Sequence, residues 1–368
     1  MRIRNSIIIA LALVTASVEV CAEYGAKQGA GYIDTHVHLG AMGREGAMAK
    51  RRSGSTGAYY REVLDNLIYM MNEMGVEMAV IMPPPKSKEN ADRRSSDTPE
   101  NFLKLAQRYP GRIFVAGGGN TLNPMIHGYS GKEVTPAVKE AFTKRAEALV
   151  NLGIVAFGET AALHLSMQEQ HIYSAVQPDH PLYLLLADIA ARHSIPIDLH
   201  MEAVPEDMYT PEGLLRTSSR NPEVIKANIP GLERLLAHNR KAKIVWQHIG
   251  WDNLGTMDIK LFRRLLKAHP NLYLSMRIER RLFRIGEGGT MLNRIVDRRK
   301  NIHPEWLQFI SEYPDRLMMG SDEFIQGAGG KTRPQDSFHE TWSVLNQLPP
   351  PLARKVGRDN AARIYNLE

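Results

Sequence analysis

From Tyr32 to Gly320 the chain repeats one pattern: a short apolar run, then a stretch whose apolar residues recur at helical spacing. Tyr32–His38 is the first run. Tyr59–Met74 is the first amphipathic stretch, with Val63, Leu64, Leu67, Ile68 and Met71 on one face and Gly75 as its stop. Glu77–Met82, Arg112–Ala116, Ile154–Gly158, Ile195–His200, Lys243–His248, Asn271–Met276 and Arg316–Gly320 continue the series of expected strands. Helical stretches such as Pro136–Leu152, Pro181–His193 and Met257–His269 separate them. Helical crossovers impose parallel pairing, and eight parallel strands close a (β/α)8 barrel. The expected fold is therefore α/β, a TIM barrel, with extra C-terminal helices between Asp336 and Asn366. An open doubly wound sheet is the structural alternative, but no Gly-rich phosphate turn follows the first strand.

Composition removes several function classes. The 368 residues include one cysteine, which excludes an internal disulfide framework and any thiolate-built zinc site. Lys and Arg number 46 against 40 Asp and Glu, a mild excess with no long basic run, so no nucleic-acid partner is expected. The N-terminus is a separate matter. Arg2 and Arg4 precede an apolar and small-residue run, Ile7 to Val18, and Val20-Cys21-Ala22 suits cleavage after Ala22. That is the layout of a secretory signal peptide. The run is shorter than the roughly 20 apolar residues a membrane span needs, so a retained anchor is the lesser alternative. Residues 1–22 are thus expected to be an export signal, and 23–368 one catalytic domain, periplasmic or secreted and without a membrane anchor once cleaved.

The residues that carry chemistry sit at strand ends. In Asp34-Thr35-His36-Val37-His38 the two histidines are two apart, so on a strand they project from one face. Two imidazoles so placed make a divalent-metal pair. Glu159 follows strand four, His200 closes strand five, His248 closes strand six, and Asp322 follows strand eight. In a barrel these ends meet at one mouth, and burying six such groups without a cation would be costly.

These motifs resemble the amidohydrolase superfamily, in its amidohydrolase-2 branch of metal-dependent TIM-barrel hydrolases and decarboxylases. The resemblance spans Tyr32 to Leu367, including the closing Asn360-Ala361-Ala362-Arg363-Ile364-Tyr365. It implies a divalent metal, zinc by default, as one or two ions. In the two-ion arrangement His36, His38 and Asp322 hold the more buried ion, His200 and His248 the second, and Glu159 takes the place of the bridging carboxylate. In the one-ion arrangement the His pair, His200 and Asp322 suffice, and His248 acts on substrate. Glu159 favours two. Asp322 is the expected proton acceptor from a metal-activated water.

Substrate contacts are sought around the same mouth. Arg277 lies at the end of strand seven, before Arg280, Arg281 and Arg284, and a guanidinium suits a carboxylate. Glu202 shares the face of His200. His164 and His171 fall in the loop after strand four, within reach of substrate although loop histidines are usually solvated; His164 is retained as a candidate contact. Arg294, Arg298 and Arg299 read as a solvated face. Met42 and Met48, within Gly40–Gly57, read as a loop over the mouth. The expected activity is hydrolysis of an amide, ester or lactone in a small, anionic substrate. Non-oxidative decarboxylation is the near alternative. A catalytically dead binding protein is the distant one, since none of the six ligands is missing. A homo-oligomer is compatible with the sequence.

Overall fold

The computed structural model describes residues 31–40, 55–87, 97–169, 171–278, 293–327 and 336–367. The expected signal peptide, Met42 and Met48, and Arg280, Arg281, Arg284 with Gly286–Gly289 lie outside the described residues.

The parallel strands are β1 (Tyr32–Leu39), β2 (Val76–Ile81), β3 (Ile113–Gly118), β4 (Ala156–His164), β5 (Ile197–Met201), β6 (Ile244–Ile249), β7 (Leu272–Met276), β8 (Leu317–Met319) and β9 (Glu323–Ile325). They lie in the order β8-β7-β6-β5-β4-β3-β2-β1-β9. Both ends of that order belong to one segment, residues 317–325. β8 pairs with β7 through Leu274 and Leu317, and β9 pairs with β1 through His38 and Phe324. Between them the Gly320 amide donates to Met276 O at 3.0 Å and the Asp322 amide to His36 O at 2.9 Å. One segment of chain, two short strands broken at Gly320–Asp322, thus changes partner and joins the two edges into a ring, the TIM-barrel arrangement expected from the alternation.

Helices cover the outside, and their limits follow local chemistry. The helix Thr56–Met74 begins at Ser55, whose Oγ accepts from the Ala58 amide at 3.1 Å, and ends at Gly75, left-handed at φ 69°. Its apolar stripe belongs to one continuous core with Phe102, Phe142, Leu186, Leu236 and Phe262. A second core fills the barrel interior: Ile33, Val80, Ala116, Val245 and Met318 meet Ile364, Tyr365 and Leu367 from the C-terminal end of the chain. Lys243 Nζ, just before β6, donates to Ile364 O at 2.8 Å, so the helix Asn360–Tyr365 closes the N-terminal ends of the strands. The strand C-termini are left as the open mouth.

Three features depart from the sequence expectation. β4 runs on from Glu159 to His164, because Thr160–Leu163 pair with β5 and Leu163–His164 with the two-residue strand Ser174–Ala175. A helix at Leu122–Gly128 and a short antiparallel strand pair, Met208–Tyr209 with Val224–Ile225, were not legible in the periodicity. The strand after Arg316 is split where it changes neighbours.

Gly320 sits where that change happens. A Cβ there would lie 2.6 Å from Ser275 Oγ, 2.9 Å from His36 Cβ and 3.1 Å from Thr35 Oγ1. Overpacking a well-filled interior costs about 1–3 kcal/mol. Gly320→Ala is expected to lower unfolding stability by that amount in a denaturant titration; an unchanged midpoint would show that β1 yields without cost.

A candidate metal centre at the barrel mouth

The six strand-end residues converge. His36 and His38 project inward from β1 with their Nε2 atoms 3.0 Å apart. The irregular pairing of β1 with β2 between Asp34 and Val37 sets this direction. Asp34 steadies the bend, its Oδ1 accepting from the His36 and Ser321 amides at 3.0 Å each, and burial pushes its carboxyl up to about 6. Glu159 Oε2 lies 3.7 Å from His36 Nε2 and 3.5 Å from His38 Nε2. Asp322 Oδ1 lies 3.6 and 3.4 Å from the same two nitrogens. Glu159 Oε1 faces the other way, 2.8 Å from both His200 Nδ1 and His248 Nε2. One carboxylate therefore divides its oxygens between two imidazole groups. The backbone is left-handed at His248 (φ 64°) and Asp322 (φ 51°), a conformation rare outside glycine and often found where function requires it.

Electrostatics point to a cation. Burial works to raise the Glu159 pKa, but His36, His200 and His248 outweigh it and hold the carboxylate well below its usual range. Asp322 is likewise held low, burial being outweighed by Arg277, His248, His38 and His36. Burial opposes a charged His38, yet Asp322 and Glu159 push it up to about 10. Two buried carboxylates thus demand positive charge between them, and without an ion a proton supplies it.

The donor set suits metal ions. His38 Nδ1 is 3.0 Å from Met82 O; since a carbonyl only accepts, Nδ1 carries the hydrogen and Nε2 presents a lone pair to the centre. Ligand atoms of His36, His38 and Glu159, of His36, His248 and Asp322, and of Glu159, His200 and His248 each lie within 4.8 Å of one another. Carboxylate and imidazole donors without thiolate are the set that zinc and related divalent ions take.

The centre opens into a cleft of about 360 Å³. Arg277 lines it, its guanidinium 4.0 Å from the centre of the Trp251 ring and ion-paired with Asp322 Oδ2. Glu202 is buried in the wall, its Oε1 accepting from Asn253 Nδ2 and its Oε2 from the Asn253 amide at 3.4 Å; burial and then Asp252 push its carboxyl up to about 8. Asp252 fixes the loop carrying Trp251 and Asn253 by accepting from the Gly255 and Met257 amides at 2.8 and 3.1 Å.

His164, read from sequence as a loop residue and kept as a candidate contact, is the last residue of β4 and lines this wall. His171 is there too, not solvated but half-buried with its ring centre 4.6 Å from that of His164. Burial, reinforced by neighbouring imidazoles, pulls His164 down to about 4 and His171 to about 3. Trp251, Asn253 and Phe324, which stacks on His38 at 4.4 Å, were missed from sequence. Their one signal was position, two to five residues beyond a strand-end ligand or on the adjoining loop. Arg298 and Arg299 are exposed, as the solvated reading has it, and Arg294 donates to Val296 O at 3.2 Å away from the cleft.

A family model described as amidohydrolase matches residues 33–367, nearly the whole chain. The protein therefore belongs to the amidohydrolase family, whose members are hydrolases and decarboxylases that typically bind divalent metals. Among solved structures it is similar to a 4-oxalomesaconate hydratase from Rhodopseudomonas palustris, at 13% identity, covering 91% of this chain and 95% of the other with a TM-score of 0.50. A 2,6-dihydroxybenzoate decarboxylase in complex with 2,6-dihydroxybenzoate matches at 12% identity over 92% and 99%, TM-score 0.48. The phosphotriesterase from Mycobacterium tuberculosis matches at 14% over 92% and 95%, also at 0.48. A comparison with curated proteins gives no match.

Proposed function

We propose that the chain is an exported metal-dependent hydrolase that cleaves an amide, ester or lactone bond in a small carboxylate-bearing substrate. The observation that carries this reading is the divided carboxylate of Glu159, one oxygen toward His36 and His38 and the other toward His200 and His248. It supports two divalent ions, zinc in the first instance. His36, His38, Asp322 and Glu159 would hold one, and Glu159, His200 and His248 the other.

Bound there, such ions supply an acidified water and polarise the scissile carbonyl. The chain's own residues do the rest. Asp322 takes the proton of the attacking water at a carboxylate oxygen and returns it to the leaving group. Arg277, held flat against Trp251, receives the substrate carboxylate. Glu202, kept protonated near neutral pH by burial, donates to a substrate oxygen. His248 orients the carbonyl if one ion alone is held. Export through cleavage after Ala22 places the enzyme in the periplasm or outside the cell.

The test is metal content of the purified mature protein, with turnover on a panel of carboxylate-bearing amides, esters and lactones before and after chelation. Hydrolysis should vanish on chelation and return with a divalent metal. Undiminished turnover by metal-free protein overturns the reading, and release of carbon dioxide in place of hydrolysis assigns the decarboxylase chemistry. N-terminal sequencing of protein recovered from the periplasm should begin at Glu23.

A further inference from the structure

The His164–His171 pair is outside the metal centre, yet both rings line the cleft. Their hydrogen bonds fix which nitrogen carries a hydrogen. His164 Nδ1 is 3.0 Å from Ile172 O, and a carbonyl only accepts, so Nδ1 donates and Nε2 is left with a lone pair. His171 is the reverse: its Nδ1 accepts from the Met167 amide at 3.1 Å, so in the neutral ring Nε2 carries the hydrogen. The segment is braced for this. Ser166 Oγ donates to His171 O, and the Ser166 amide donates to Asn221 Oδ1 at 2.9 Å. Neither Nε2 is engaged by another group of the protein among the described residues. The two rings meet edge to face, 4.6 Å apart as ring centres, and both line the wall, which thus carries one acceptor and one donor.

We infer that His164 and His171 form a subsite for an uncharged amide edge, whose N–H meets His164 Nε2 and whose carbonyl meets His171 Nε2–H. A carboxylate offers only acceptors and would set an oxygen against the His164 lone pair. An ester has the same fault without the charge. This deepens the reading of an anionic substrate held at Arg277, on which it rests: the substrate class becomes a small molecule with a carboxylate at one end and a carboxamide-type group at the other. Mispairing one buried polar group is enough to set the preference.

Calorimetric titration of the metal-loaded protein with succinamate, monomethyl succinate and succinate tests it. The three differ in whether the second end supplies a donor. Succinamate is expected to bind at least about tenfold more tightly than either of the others. Asparagine reaches the position of a histidine Nδ1 but not of Nε2. His164→Asn should therefore keep the bond to Ile172 O and bring succinamate and monomethyl succinate to equal affinity, whereas His171→Asn should weaken all three alike. Equal affinities in the wild type, a preference that survives His164→Asn, or no succinamate binding at millimolar concentration overturns the subsite. Product is assayed in each titrated sample, so the binding preference and turnover are read apart and the two readings fail separately. A succinamate preference with no hydrolysis on the panel removes the hydrolase and leaves the subsite; hydrolysis with no preference does the opposite.

Discussion

Glu159→Ala is expected to leave the protein with one bound ion or none and to cut turnover by more than about 100-fold, beyond the 10–100-fold loss typical of groups that only support a ligand. The reason is geometric. Glu159 reaches every imidazole of both groups, 3.5–3.7 Å from the β1 pair through Oε2 and 2.8 Å from His200 and His248 through Oε1, whereas Asp322 reaches the β1 pair and then only His248, at 3.5 Å. Elemental analysis beside steady-state rates checks it, and two retained ions per chain would show that the carboxylate is not shared.

The same substitution should change how the metal-free protein responds to pH. In the wild type His38 is pushed up to about 10 by Asp322 and Glu159 against the opposing effect of burial. A folded-state pKa raised above the unfolded value near 6.5 contributes stability that is fully present below pH 6.5 and lost as pH rises toward 10. Glu159, held low, contributes stability above its unfolded value near 4.5 that is lost on acidification. Chelated wild type should therefore lose stability from pH 6.5 upward, and chelated Glu159→Ala should do so less steeply. Thermal denaturation across that range reads the difference.

The barrel and the convergence of the six strand-end groups were legible because each depends on local pattern. Apolar runs set the strands, glycine and proline set their ends, and a metal ligand at a strand terminus is visible as a His, Glu or Asp just past an apolar run. What was not legible depends on long-range side-chain pairing. Strand parity alone would carry Asp34 to the face of His36, but the shift of register between Asp34 and Val37 breaks it. His171 read as a solvated loop residue because nothing local shows that Ser166 and Asn221 fold its loop back onto His164. Beneath the centre, Asp198 Oδ1 accepts from Gln247 Nε2 at 2.9 Å and from the Tyr365 hydroxyl, a link from the barrel interior to a helix 167 residues away. Burial pushes the Asp198 carboxyl up to about 7. No spacing rule reaches such a contact. The charge of Arg277 was equally visible, but its present partner is the candidate ligand Asp322.

That pairing shapes the second large effect. Asp322→Asn is expected to retain most of the bound metal, because His36, His38 and Glu159 remain, while turnover falls by about 10²–10⁴-fold through loss of the proton acceptor. Wild-type turnover with normal metal content would remove Asp322 from that role. Arg277 adds a constraint: its guanidinium is among the groups that hold Asp322 below the usual carboxylate range, so Asp322 is a poor base while the ion pair persists. A substrate carboxylate that takes the place of Asp322 on the Arg277 guanidinium would release it. Arg277→Gln should then raise KM for carboxylate-bearing substrates and leave the KM of neutral analogues nearly unchanged. Because the two side chains touch, the double variant should lose less than the sum of the single losses in transition-state free energy. Strict additivity would mean that Arg277 serves substrate and Asp322 independently, and that the ion pair plays no part in turnover.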